Sequence, residues 1–111
     1  GESPLAAAIR EVEEEVCVTP VDVEPRGELS FQFVDGYALH VHVFAASDCT
    51  GQARETEEAV PHWTPLALIP YAEMWADDML WLPLLLERQP FLGRFVFDGD
   101  AMLDHELLLV R

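Results

Sequence analysis

The chain has 111 residues, half of them hydrophobic and 10% aromatic, with no low-complexity tract, so it is long and apolar enough for a single core. Six arginines, no lysine and 21 acidic residues give a net charge of −15, which repels a phosphate backbone and excludes a nucleic-acid duplex as partner. The apolar runs at residues 82–86 and 107–110 are too short to span a membrane.

Ser3-Pro4 predicts a helix start, a hydroxyl cap before a proline at the first helical position. Leu5, Ala8, Ile9, Val12 and Val16 then recur at spacings of three and four, an apolar stripe for a core. Glu11, Glu14 and Glu15 stand at i, i+3 and i+4, so their carboxylates share one patch, and Arg10 lies one turn before Glu14. Glu13 points away and is expected to be solvated. Spacing alone leaves two readings of the trio: a wet acidic face, or a site for a hard divalent cation, which takes oxygen ligands.

After the helix, residues 18–25 read as a proline-broken connection. Residues 27–33 alternate as a strand with Leu29, Phe31 and Phe33 on one side, and Asp35-Gly36 signals a hairpin. Residues 37–46 set Leu39, Val41 and Val43 against His40, His42 and Phe44. A polar loop at 47–59, a short strand at 60–63 and a turn or short helical segment at 64–70 follow. A second helix is expected from Asp78 to about Gln89, bent or delayed by Pro83. Residues 94–97 and 102–110, joined by Asp98-Gly99, form a last hairpin. The fold class is α+β: a mixed or antiparallel sheet flanked by helices. No internal repeat or linker divides residues 1–111.

Residues 1–18, GESPLAAAIREVEEEVCV, resemble the second part of the Nudix box, the signature of the Nudix hydrolases. Glu2, Arg10-Glu11, Val12, Glu14-Glu15 and Val18 stand at the required spacings, and Cys17 replaces the closing glycine. A non-glycine residue in that left-handed position costs on the order of 1 kcal/mol. The box's opening glycine and its loop would precede Gly1. The expectation is therefore a single, N-terminally truncated Nudix domain of the α/β/α type over residues 1–111. It would be monomeric if complete, and prone to self-association as truncated.

Further along, GELSFQFVDG, LHVHVF, MWADDMLWLP and LDHELLLV resemble the Nudix branch that hydrolyses oxidised purine nucleoside triphosphates. That resemblance implies Mg²⁺-dependent (or Mn²⁺-dependent) release of pyrophosphate from an 8-oxo-dGTP or 2-hydroxy-dATP type of substrate, in a cytoplasmic, nuclear or mitochondrial nucleotide pool. It implies Glu11, Glu14 and Glu15 as metal carboxylates joined by Glu58, with Glu11 or Glu15 as base and Arg10 orienting the cluster. The loop sequence itself does not select Glu58 over Glu55 or Glu57. Trp75 offers a face on which a purine can stack, and Phe31, Phe33, Leu39 and Met74 are implied as neighbours.

Asp77 and Asp78 are adjacent carboxylates before a helix. In a dry pocket, desolvation and repulsion keep one protonated, so the pair can offer a donor and an acceptor to a purine edge. Their other reading is as helix caps. His40 and His42 share a strand face without a third ligand in the local pattern, and structural roles are expected for them and for His62 and His105. Cys17 and Cys49 make no metal or disulfide framework, which reads as a reducing compartment. Two alternatives use the same motif: a Nudix enzyme for a methylated or unmodified purine triphosphate, and an inactive fragment that binds a nucleotide or a protein.

Overall fold

A computed structural model describes residues 1–111 as two compact units, residues 1–25 with 44–68, and residues 26–43 with 69–111. The first carries helix α1 (Pro4–Val16) and the strands β1 (Thr19–Val21) and β4 (Asp48–Thr50), which pair antiparallel with Pro20 opposite Cys49. The Ser3 side chain accepts a hydrogen bond from the Ala6 amide at 3.1 Å, satisfying one of the orphan donors of the first turn. At the other end Cys17 is left-handed, φ 65° and ψ 23°, and its amide closes the last turn on the Glu13 carbonyl. The helix therefore ends where a glycine would have ended it. Of the apolar stripe, Ala8, Ile9, Val12 and Val16 are half-buried, and Val18, just beyond the turn, is buried.

The second unit is organised by a four-stranded mixed sheet in the order β3-β2-β5-β6. Its strands are β2 (Glu24–Phe33), β3 (Ala38–Ala45), β5 (Phe91–Asp98) and β6 (Ala101–Leu109). β2 and β5 run parallel with Leu29 opposite Gly93 and Phe31 opposite Phe95, while β5 and β6 are antiparallel with an irregularity at Val96/Phe97. The core is Leu29, Val43, Phe91, Phe95 and Phe97, covered by Leu80, Trp81, Leu84 and Leu85 of helix α2 (Asp78–Leu86). Two glycines permit this packing. A Cβ on Gly27 would lie 2.5 Å from the Phe91 ring, and one on Gly93 would lie 2.8 Å from Leu29 Cδ2.

Sequence and structure differ in several places, among them β1 within the expected connection and the starts of β2 and β5, each three residues early. Residues 60–63 form no strand: Pro61 has no amide to donate, and Val60 and Trp63 are exposed. The polar loop instead contains β4. Helix α2 stops at Leu86 rather than near Gln89, because Arg88 turns left-handed at φ 61°. The Gln89 amide then bonds the Leu84 carbonyl and the Arg88 amide the Leu85 carbonyl, a Schellman ending before Pro90. Glu13 is exposed, as expected, and its carboxylate accepts from the Thr19 hydroxyl at 2.7 Å.

Candidate active site

The acidic cluster is built on α1. Arg10 lies between two carboxylates, bonding Glu2 through Nε and Nη2 at about 3.0 Å and Glu14 through Nη1 at 3.0 Å. These bonds hold the Glu2 carboxyl below the usual range and push the guanidinium further up. Glu11 stands 3.9 Å from Arg10. The seven-residue gap between Glu2 and Arg10 thus has a physical reason: the chain before the helix brings Glu2 alongside the second turn.

The loop that carries Glu58 is tied to the end of α1 through one hydroxyl. Thr56 Oγ1 donates to the Glu15 carbonyl at 2.6 Å and accepts from the Glu58 amide at 3.2 Å. The Arg54 amide bonds the Val16 carbonyl nearby, so the loop is tied to the C-terminal turn of α1. These bonds place the loop's backbone and do not select among the side chains of Glu55, Glu57 and Glu58. The side-chain oxygens of Glu11, Glu14, Glu15 and Glu58 are not drawn into a close group. Like charges repel, and Arg10 pulls Glu14 toward itself. The donor set consists of carboxylate oxygens on a solvent-accessible face, which fits Mg²⁺ or Mn²⁺ with retained water and does not fit a soft metal.

A second concavity lies in the other unit, an apolar cleft of about 330 Å³. Phe31, Phe33 and Leu39 line it from the sheet, and Trp75, Asp77, Asp78 and Trp81 from the segment that opens α2. Met74 is not among its lining residues, whereas Leu29, Val41, Trp81 and Phe97 are. Trp75 meets Phe97 edge-on with centroids 5.7 Å apart and is 54% exposed, so ring surface stays open to a ligand.

Asp77 is the one buried charged residue, 3% exposed, and its Oδ2 accepts from the Trp81 indole at 2.8 Å. Its side chain makes no capping bond, although it occupies the N-cap position. Burial pushes the Asp78 carboxyl upward, and the Asp77 carboxylate beside it adds to the shift against an opposing backbone hydrogen bond at Trp75. The cleft therefore sets an acceptor held by an indole next to an acid whose carboxyl is shifted upward by burial. Trp81 escaped the sequence reading because an aromatic residue in an all-apolar helix looks like core. Its four-residue spacing from Asp77 was the available signal.

On the opposite face of β2 and β3, His40 and His42 do meet a third group. Glu28 of the neighbouring strand lies 3.0 Å from His40 Nε2 and 3.7 Å from His42 Nδ1.

Residues 1–85 match the NUDIX domain. The chain belongs to the Nudix family. It is 38% identical to the oxidized purine nucleoside triphosphate hydrolase of Danio rerio over 96% of this chain and 70% of the relative. It is 39% identical to the protein of the same name from Mus musculus, with the same coverage of both chains. In three dimensions it matches the MutT protein of Bacillus halodurans with a TM-score of 0.88 over 96% of this chain and 74% of that one. At 24% identity that likeness speaks for the Nudix fold alone.

Proposed function

We propose that this Nudix protein hydrolyses oxidised purine nucleoside triphosphates to the monophosphate and pyrophosphate, and so clears damaged nucleotides from the precursor pool. The two named relatives support the reaction class. The observation that carries the substrate assignment is the Asp77–Asp78 pair, one carboxylate buried against Trp81 and its neighbour shifted toward the protonated form.

Glu11, Glu14, Glu15 and Glu58 would hold Mg²⁺, or Mn²⁺ in its place, which when bound would supply charge neutralisation for the triphosphate and polarisation of phosphorus. The chain's own residues do the rest. Arg10 keeps Glu14 oriented and relieves repulsion along the helix. Glu11 or Glu15 removes a proton from the attacking water. Thr56 fixes the Glu58 loop. In the cleft Trp75 stacks on the purine, worth roughly 1–3 kcal/mol. Asp78 donates a hydrogen bond to the purine edge and Asp77 accepts one. An oxidised purine differs from its parent in donors and acceptors on that edge, and a site of buried polar groups rejects the form that leaves one unpaired. Phe31, Phe33 and Leu39 close the apolar wall.

The test is kcat/KM for oxidised guanine, oxidised adenine and plain guanine triphosphates in Asp77→Asn and Asp78→Asn. A change in the ratio among substrates supports the assignment. Equal loss for all three, or none, removes these residues from base recognition.

A further inference from the structure

Alternation along β2 and β3 sends Leu29, Phe31, Leu39 and Val41 to the cleft and leaves Glu28, Ser30, His40 and His42 on the other face of the sheet. There one ligand atom from each of Glu28, His40 and His42 lies within 4.8 Å of the other two. Glu28 Oε1 is 3.0 Å from His40 Nε2 and 3.7 Å from His42 Nδ1. The two imidazoles stand edge to face, 5.0 Å between centroids. We propose that Glu28, His40 and His42 form a second metal site, for a borderline divalent transition metal of the Zn²⁺ class, separate from the glutamates of α1.

The spacing suits such an ion. Tetrahedral coordination with bonds of 2.0–2.1 Å places neighbouring ligand atoms about 3.4 Å apart, and the two measured separations bracket that value. The donor set suits it too: two imidazole nitrogens and one carboxylate leave a fourth position for water or an added ligand. Mg²⁺ is a poor competitor, because it prefers all-oxygen octahedral surroundings. A neighbouring hydroxyl completes the arrangement. Ser30 Oγ lies 3.0 Å from His40 Nδ1 and can accept its N–H, so Nε2, which bonds Glu28 Oε1 at 3.0 Å without an ion, is the nitrogen available to ligate one in place of that proton. All three ligands are exposed, so an ion reaches them without rearrangement of the chain. The sequence hid the site because the third ligand sits on a different strand from the two histidines.

The experiment is titration of the metal-free full chain with Zn²⁺ in millimolar Mg²⁺, followed by calorimetry and by the imidazole ¹⁵N resonances. One Zn²⁺ should bind per chain, moving the His40 and His42 resonances and leaving those of His62 and His105 in place. His40→Ala, His42→Ala and Glu28→Gln should each weaken binding by about tenfold or more, and Ser30→Ala by about tenfold. Hydrolysis measured with Mg²⁺ alone should be the same in all four variants, because none of these residues belongs to the hydrolytic site. Stoichiometric Zn²⁺ binding that survives the histidine substitutions would overturn the proposal. So would displacement by millimolar Mg²⁺, or unmoved His40 and His42 resonances, leaving the cluster as an ion pair between strands.

Discussion

Asp77 and Trp81 show how a single contact changes a residue's meaning. Both aspartates opening α2 read equally well as caps, and the structure spends the Asp77 side chain on the indole of Trp81 instead. Trp81→Phe keeps the ring and removes that donor, leaving a buried carboxylate short of a partner. A loss of about 1–3 kcal/mol is expected, read from the urea midpoint. Asp78 gives a pH-dependent test. Its carboxyl is raised by burial and by Asp77, so its contribution to stability is complete below the unfolded carboxylate value and is lost as pH rises through the folded one. Asp78→Asn removes that loss. Its effect on melting temperature should be more favourable at pH 7 than at pH 3, and an effect independent of pH would contradict a raised carboxyl. Hydrolysis that uses Asp78 as donor should decline as pH rises through the same window.

Among the elements, those with strong local patterns were legible in the sequence. The Ser3 cap with Pro4, the alternation of β2 and β3, and the last hairpin through Asp98-Gly99 all form, with β2 and β5 each starting three residues before the expected strand. The misses fall where a rare residue performs a common task. Arg88 ends α2 in a left-handed conformation that glycine usually supplies, and Pro61 breaks what looked like a strand. Cys17 is the same exchange in α1, but there the Nudix pattern marked the position in advance. Cys17→Gly should relieve the left-handed strain and gain up to about 1 kcal/mol in a denaturant titration, less the greater freedom glycine has when unfolded. Thr56 could not be read from sequence, since its bond to the Glu15 carbonyl joins a loop to a helix end 41 residues earlier. Thr56→Val should leave folding intact and raise the Mg²⁺ concentration for half-maximal hydrolysis by about tenfold. An unchanged magnesium requirement would detach that loop from the metal site.

At the scale of the whole molecule, a net charge of −15 and a polyphosphate substrate favour a cation between them. The sequence carried Arg10 and the α1 glutamates as candidates through the Nudix pattern, and residues 74–83 pointed to the segment from which Trp75, Asp77 and Asp78 line the cleft. It could not carry the pairing of β2 with β3 that brings Glu28 beside two histidines, because that contact is set by the sheet rather than by local spacing. Mg²⁺ binding to the folded chain should raise its melting temperature by mass action, and Glu15→Gln should blunt the shift. The most direct measurement is product analysis of the Mg²⁺-loaded chain with 8-oxo-dGTP and with dGTP. Pyrophosphate and the monophosphate should form from both, with kcat/KM higher for the oxidised nucleotide by about tenfold or more, and Glu15→Gln should abolish turnover. Orthophosphate as the product, equal kcat/KM for the two nucleotides, or unimpaired turnover in Glu15→Gln would contradict an oxidised-purine pyrophosphohydrolase built on these residues.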